Sequence, residues 1–163
     1  MSRPIGSARY TFRVAERSRP PRRSTARQPW YAEGLRFECV PDCGACCTRH
    51  GEYDFVYLDP DDVDRLAAAL GLSRDAFLET HAVEEDGYLA LRMNGADCPY
   101  LRGTGCGVYE ARPNQCRTFP FWRENLRSRT AWERLRAFCP GIGSGDVHAV
   151  EKVRALAANK TEP

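Results

Sequence analysis

The sequence predicts a small single α+β domain stapled by metal, with short strands, several helices and cysteine-bearing loops, preceded by a disordered basic arm. Three observations predict it. Eight cysteines stand in only 163 residues, four of them between positions 39 and 47. Between the cysteine groups the apolar pattern passes from a helical period to alternation over stretches too short for a large sheet. The charge is divided as well: the overall +2 hides eight arginines and a single acid in the first 30 residues, leaving a net negative remainder. Arg, Ser and Pro without a sustained apolar period cannot offset the entropy of folding, so residues 1–33 are expected to be a disordered arm and residues 34–163 the folded domain.

The elements follow in chain order. Asp54-Phe55-Val56-Tyr57-Leu58 reads as a short strand. Asp59-Pro60 then supplies an N-cap and a first-turn proline. Val63, Leu66, Ala67 and Leu70 recur at helical spacing, Asp61 and Asp62 suit the positive helix start, and Gly71 is a natural terminator. Ser73 caps a second, shorter helix through Phe77 and Leu78, and the alternation of Tyr88 to Met93 predicts a strand. Tyr100 to Tyr109, with Gly103 and Gly105 at its turn, has the form of a tight hairpin. Thr130 to Phe138 predicts a short helix, and Asp146 is expected to cap a last one whose Val150, Val153, Leu156 and Ala157 share a side.

The cysteines carry the chemistry: Cys39, Cys43, Cys46, Cys47, Cys98, Cys106, Cys116 and Cys139. Thiolates are soft donors, and closely spaced cysteines on a Gly-containing turn reach one metal with little loop-closure cost, as zinc and iron-sulfur sites require. All eight are therefore candidate metal ligands, for zinc or an iron-sulfur cluster. Spacing leaves their grouping open, and adjacent Cys46 and Cys47 point differently along the chain. A stapled set of disulfides would also fit an even count. The N-terminal stretch lacks the apolar run of a secretory signal, however, and no run reaches the roughly 18 residues of a membrane span. The expected setting is a soluble chain in the reducing cytoplasm, where stable disulfides are rare.

Taken in order, Phe37-x-Cys39, Cys43-Gly44-x-Cys46-Cys47, Cys98-Pro99-x-Leu101, Gly105-Cys106-x-Val108-Tyr109, Arg112-Pro113-x-x-Cys116-Arg117-x-Phe119-Pro120-Phe121 and Cys139-Pro140-Gly141-Ile142-Gly143 resemble the YkgJ-type cysteine-cluster family. That family is a zinc- or iron-chelating domain named for its CxxCxxCC motif, and the resemblance covers about residues 35–145. It implies a metal- or iron-sulfur-binding module with eight cysteine ligands, found in small bacterial proteins and as a part of flagellin lysine methylases. The chain departs from the pattern at the first pair, where Val40-Pro41-Asp42 makes the spacing C-x3-C. The resulting Cys39-x3-Cys43-x2-Cys46 also matches the radical S-adenosylmethionine spacing. Those enzymes, though, need most of a (β/α) barrel of roughly 200 residues, and this chain has neither the length nor the alternating pattern.

Other candidates have ordinary explanations. His50 is the histidine near enough to the cluster to join it, although a surface role explains it as well. Asp59, Asp61, Asp62 and Asp64 are accounted for by the helix start, without a hard cation. Arg112 and Arg117 flank Cys116 and can balance thiolate charge. Phe119, Phe121 and Trp122 read as packing around the metal loops. No Ser-His-Asp order, phosphate-cradling loop or paired carboxylates emerge, so an independent enzyme is not expected. The expected function is a metal-binding protein for redox or metal handling, with metal ions and an unidentified protein as partners. The alternative is an accessory module of a lysine-methylating system, and nucleic-acid binding through the arm ranks last.

Overall fold

Asp59 and Asp62 build the start of the first helix. The Asp62 amide donates to the Asp59 carboxylate at 2.7 Å, and the Asp59 amide donates to the Asp62 carboxylate at 3.1 Å. With Pro60 in the first turn this reciprocal cap starts α1 (Pro60–Leu70), and Gly71 ends it in a left-handed conformation at φ 68°. Val63 and Leu66 are fully buried on its inner face. Asp62 is also fully buried. Burial pushes its carboxyl pKa up, while amide donors, that of Asn114 at 2.8 Å among them, and the Arg65 guanidinium work the other way. One carboxylate thereby caps a helix and pins a distant loop.

The structure, a computed structural model, describes residues 28–48, 55–93 and 95–159. Most of the predicted arm, residues 1–27, lies outside the described residues. At its end Trp30 donates its indole N–H to the Leu126 carbonyl at 2.7 Å, and Trp30 and Tyr31 pack on a core. β1 (Leu35–Phe37) follows. α2 (Arg74–His81) begins at Ser73, whose hydroxyl accepts from the Ala76 amide at 3.2 Å. β2 (Ala82–Glu85) and β3 (Tyr88–Leu91) form an antiparallel hairpin. Its turn is Asp86-Gly87, both at positive φ, the dipeptide that such two-residue turns favour. The predicted strand at Tyr88 to Met93 is thus observed over a shorter range, with β2 as an unforeseen partner.

The strand expected at Asp54 to Leu58 is not one. Asp54 lies outside the described residues, and Tyr57 makes a single antiparallel bridge to Ala90. The run is still held beside β3, through Leu58 N–H to Leu89 at 2.8 Å and Leu91 N–H to Val56 at 2.8 Å. Beyond it, β4 (Leu101–Arg102) and β5 (Gly105–Cys106) make the predicted tight hairpin. α3 (Asn114–Thr118), α4 (Arg123–Leu126) and α5 (Arg129–Arg134) follow, and a 3-10 turn over Leu135–Ala137 extends α5 to the predicted end near Phe138.

Asp146 does not cap the last helix. It lies within β6 (Ile142–His148), which pairs antiparallel with β1, and α6 (Val150–Ala158) starts after Ala149 without a side-chain cap. Gly143 and Gly145, both at positive φ, give this segment the look of a turn in sequence. A partner more than a hundred residues upstream makes it a strand.

Two hydrophobic clusters result. One gathers Leu58, Val63, Leu66, Phe77, Leu91 and Tyr100 around α1, α2 and the β2–β3 hairpin. The other gathers Leu35, Phe121, Leu126, Trp132, Ile142 and Val153 around the β1–β6 pair. Fully burying a side chain of this size contributes about 1.5–3 kcal/mol, so each small cluster is a modest core by itself. Phe121 and Trp122 are buried as expected, whereas Phe119 is only half-buried. Among the described residues no helix is long and apolar enough to cross a membrane.

Candidate metal centre

A cavity of about 420 Å³ is lined by residues from both clusters, and all eight cysteines are on its wall. Four local structures deliver them. Cys39 and Cys139 flank the β1–β6 pair, where Phe37 faces Ile142 and the Glu38 amide donates to the Gly141 carbonyl at 3.2 Å. Cys43, Cys46 and Cys47 lie on a turn that closes into a 3-10 helix at Ala45–Cys47. Cys98 and Cys106 come together through the β4–β5 hairpin, in which Leu101 faces Cys106. Cys116 sits in α3, the helix that Asp62 anchors. None of the eight is in a disulfide.

Backbone amides meet several of these sulfurs in a repeated pattern. The Tyr100 amide donates to the Cys98 sulfur, that of Val108 to Cys106, and that of Gly141 to Cys139. In each case the donor is two residues beyond the acceptor. Such N–H···S bonds neutralise part of a thiolate's charge and orient it, which is what metal-binding cysteine loops require of their surroundings.

The sulfurs are also coupled to one another. Hydrogen bonding with Cys47 lowers the Cys106 pKa to about 6 and that of Cys46 to about 7, and lowers that of Cys98 too. The same contacts with Cys106, Cys46 and Cys98 push the Cys47 thiol up. Burial drives the Cys116 thiol up, and the sulfurs of Cys46, Cys98 and Cys106 add to this. Burial likewise raises Cys139. Crowded thiols that oppose one another's ionisation are the natural partners of a cation.

Arg112 and Arg117 both line the cavity but act differently. Arg112 lowers the pKa of Cys46 and Cys106, which is the charge balance expected of it. It lies over the Tyr109 ring at 3.8 Å and donates to the Tyr109 carbonyl at 2.6 Å. Arg117 instead clamps its own loop, donating to the carbonyls of Arg112, at 2.9 Å, and Glu110.

Two tyrosines were not foreseen as site residues. Tyr109 is exposed, and hydrogen bonding to the Cys39 sulfur is the main cause of its raised pKa. Tyr100 is buried on the cavity wall; burial pushes its phenol up to about 12, and its hydroxyl has no hydrogen-bond partner among the described residues. Their sequence signal was adjacency, because each stands two or three residues after a cysteine. The described histidines make other contacts. His50 lies outside the described residues, His81 stacks on Phe77, and His148 Nε2 stands 2.9 Å from the Phe37 carbonyl.

The sulfurs ring the cavity without closing on a point. Among the described residues, no three His, Cys, Asp or Glu side chains stand together as a finished metal-holding group. The donor chemistry nevertheless fits a soft metal: eight thiols, amides aimed at three of them and a guanidinium beside the most acidic. A bound cation would supply the attraction that offsets packing several thiolates together.

The family model described as "CxxCxxCC: Putative zinc- or iron-chelating domain" matches residues 38–140. The chain belongs to this family. The CxxCxxCC match begins one residue before Cys39 and ends one residue after Cys139, so it spans all eight cysteines of the cavity wall. Metal binding is the chemistry of the CxxCxxCC domain, and the donor set agrees with it. No solved structure matches the chain.

Gly44 is the most exacting position of the cysteine turn. It adopts φ 60°, and an added Cβ would lie 2.3 Å from the Thr104 carbonyl oxygen in the β4–β5 turn. Gly44→Ala is expected to cost about 2 kcal/mol or more, from left-handed strain plus a backbone clash, and to loosen the turn that carries Cys43 and Cys46. Tm and metal content measured together check this. Wild-type values for both would show that the contact is dispensable.

Proposed function

We propose that this protein binds zinc or an iron-sulfur centre through Cys39, Cys43, Cys46, Cys47, Cys98, Cys106, Cys116 and Cys139, for redox or metal handling in the cytoplasm. The observation that carries the reading is the convergence of all eight sulfurs, drawn from β1 to β6, on one cavity. Thiolates held by amides and beside Arg112 suit either centre, and the choice between the two rests on composition of the bound group. When bound, the metal supplies a staple between the two hydrophobic clusters, or an electron-carrying centre. The chain's own residues orient the thiolates and balance their charge.

The deciding experiment is anaerobic purification followed by measurement of iron, zinc and acid-labile sulfide per chain, with the visible absorption spectrum. Iron with equivalent sulfide and a brown chromophore supports an iron-sulfur protein. Stoichiometric zinc without colour supports a structural or chelating module. Absence of all three overturns the proposal.

Cys46→Ser and Cys116→Ser are each expected to lose metal and thermal stability together, since both residues line the cavity. Metal content unchanged in both would remove the two residues from the ligand set.

A second reading has one observation in its favour. Val40 and Tyr109, at the cavity, expose 41% and 42% of their surface, an apolar edge that suits contact with another protein. An accessory role in a lysine-methylating system would predict methyl transfer to a partner protein with S-adenosylmethionine present, and no transfer after residues of this edge are replaced.

A further inference from the structure

The residues of α3 do not by themselves explain why it is a helix. Asn114–Thr118 is five residues long, polar apart from Cys116, and it starts after Pro113 without a side-chain cap. One turn of that composition has no helical stability of its own. Buried polar side chains hold its backbone instead. The Asn114 amide donates to the Asp62 carboxylate at 2.8 Å. Gln115 grips a neighbouring stretch of main chain with both ends of its side chain: Oε1 accepts from the Tyr57 amide at 2.8 Å, and Nε2 donates to the Phe55 carbonyl at 3.2 Å. The Gln115 carbonyl in turn accepts the Trp122 indole N–H at 3.0 Å, and the Thr118 hydroxyl donates to the Asn114 carbonyl at 3.0 Å.

This is where the buried polarity of the molecule is concentrated. Among the described residues the buried charged or polar side chains, aromatics aside, are Asp62, Gln115, Thr118 and Asn125, and the last donates to the Pro120 carbonyl at 2.9 Å. All four hold α3 or the turn that follows it. Burying a polar group costs stability unless its bonds are complete, so an apolar side chain of similar size would serve a core as well or better. What the helix carries accounts for the arrangement, because Cys116 is its middle residue and lines the cavity. The turn with Cys43 and Cys46 is built differently: its 3-10 helix, Ala45–Cys47, has no buried residue and no side-chain cap.

We infer that Asp62 and Gln115 are positioning residues for the metal centre: they fix the Cys116 sulfur on the cavity wall and touch no metal themselves. Asp62 ties the start of α3 to α1. Gln115, next to Cys116, ties it to the main chain that runs beside β3. Bonds in two directions at successive residues set both the place and the rotation of the helix, and with them the direction in which Cys116 points. Thiolate ligation depends on that direction, and losing the group that orients a ligand typically weakens metal binding about 10–100-fold. This inference rests on the proposal that Cys116 is a metal ligand.

The test uses the full chain loaded with 113Cd2+, a probe with the thiolate preference of zinc and a nuclear spin that couples to cysteine β-protons. In the unmutated protein a 113Cd resonance should correlate with the Cys116 β-protons, and the Asn114 and Tyr57 amides should exchange with solvent as slowly as those of the cores. Gln115→Leu keeps the buried volume and removes the clamp, and Asp62→Ala removes the tie to α1. Each is expected to weaken cadmium binding about 10–100-fold in competition with a chelator and to shift or abolish the Cys116 correlation. Asp62→Asn, which keeps an oxygen for the Asn114 amide, should recover most of the affinity. Ser73→Ala, which loses the α2 cap away from the cavity, gives the comparison: it should lower Tm and leave the cadmium affinity and the Cys116 correlation unchanged. Wild-type affinity and correlation in Gln115→Leu, losses no larger than those of Ser73→Ala, or fast exchange of both amides in the unmutated chain would each overturn the positioning role while leaving Cys116 a ligand. Absence of any Cys116 correlation in the unmutated, cadmium-loaded chain would overturn the ligand assignment beneath it as well.

Discussion

Stripping the metal from the full chain with a strong chelator is expected to abolish its cooperative thermal transition. Ligation by four or more thiolates contributes on the order of 10 kcal/mol to folding in small metal-stapled domains, as much as the whole net stability of an ordinary domain. The reason is visible in the architecture. Two modest hydrophobic clusters border a thiol-lined cavity of about 420 Å³, and the pieces that carry the cysteines are a turn, a two-residue hairpin and a five-residue helix. Segments of that size do not hold together alone. Without a cation, the cysteine-bearing loops would lose their common tie. Near-UV circular dichroism and scanning calorimetry, before and after chelation under reducing conditions, check this. A Tm that moves by only a degree or two would mean that the two clusters are sufficient and the metal is a guest.

Phe121→Ala is expected to destabilise the protein by about 3–5 kcal/mol, the range for deleting a buried phenylalanine. Phe121 is 2% exposed and meets three rings: Trp132 stacked at 5.6 Å, His148 at 5.0 Å and Phe37 edge-on at 5.8 Å. Phe37 is at once the last residue of β1, a wall of the cavity and the partner of Ile142. The cavity left by the missing ring therefore borders the junction that holds Cys39 beside Cys139. Denaturant unfolding gives the stability change, and the rate of metal loss to a chelator gives the local effect. Phe121→Leu, which keeps most of the volume, should restore much of both. A fall in stability with no faster metal release would separate the second core from the site.

Much of the fold was legible because its signals are local. The Asp59 cap, the Pro60 first turn, the Val63-Leu66-Ala67-Leu70 face and the Gly71 stop are written within one segment, and α1 has those bounds. Ser73 and the glycines of the β4–β5 hairpin are local in the same sense. Asp146 misled for the complementary reason. A capping residue ahead of an apolar face is a good helix signal, but β1 lies more than a hundred residues away and its hydrogen bonds claimed the segment for a strand.

At the site, the sequence by itself determined the candidate donors: eight thiols in a spacing whose order resembles a single family, with Arg112 and Arg117 flanking one of them. These are matters of residue type and short-range spacing, and they survive any detail of packing. Only the tertiary structure decided which cysteine-bearing segments lie side by side. Cys47 stands beside Cys98, and Cys139 beside Cys39, through single backbone hydrogen bonds between segments 51 and 103 residues apart. Contacts at such separations are selected by the whole chain's packing and leave no mark on local pattern, which is why spacing alone does not show them.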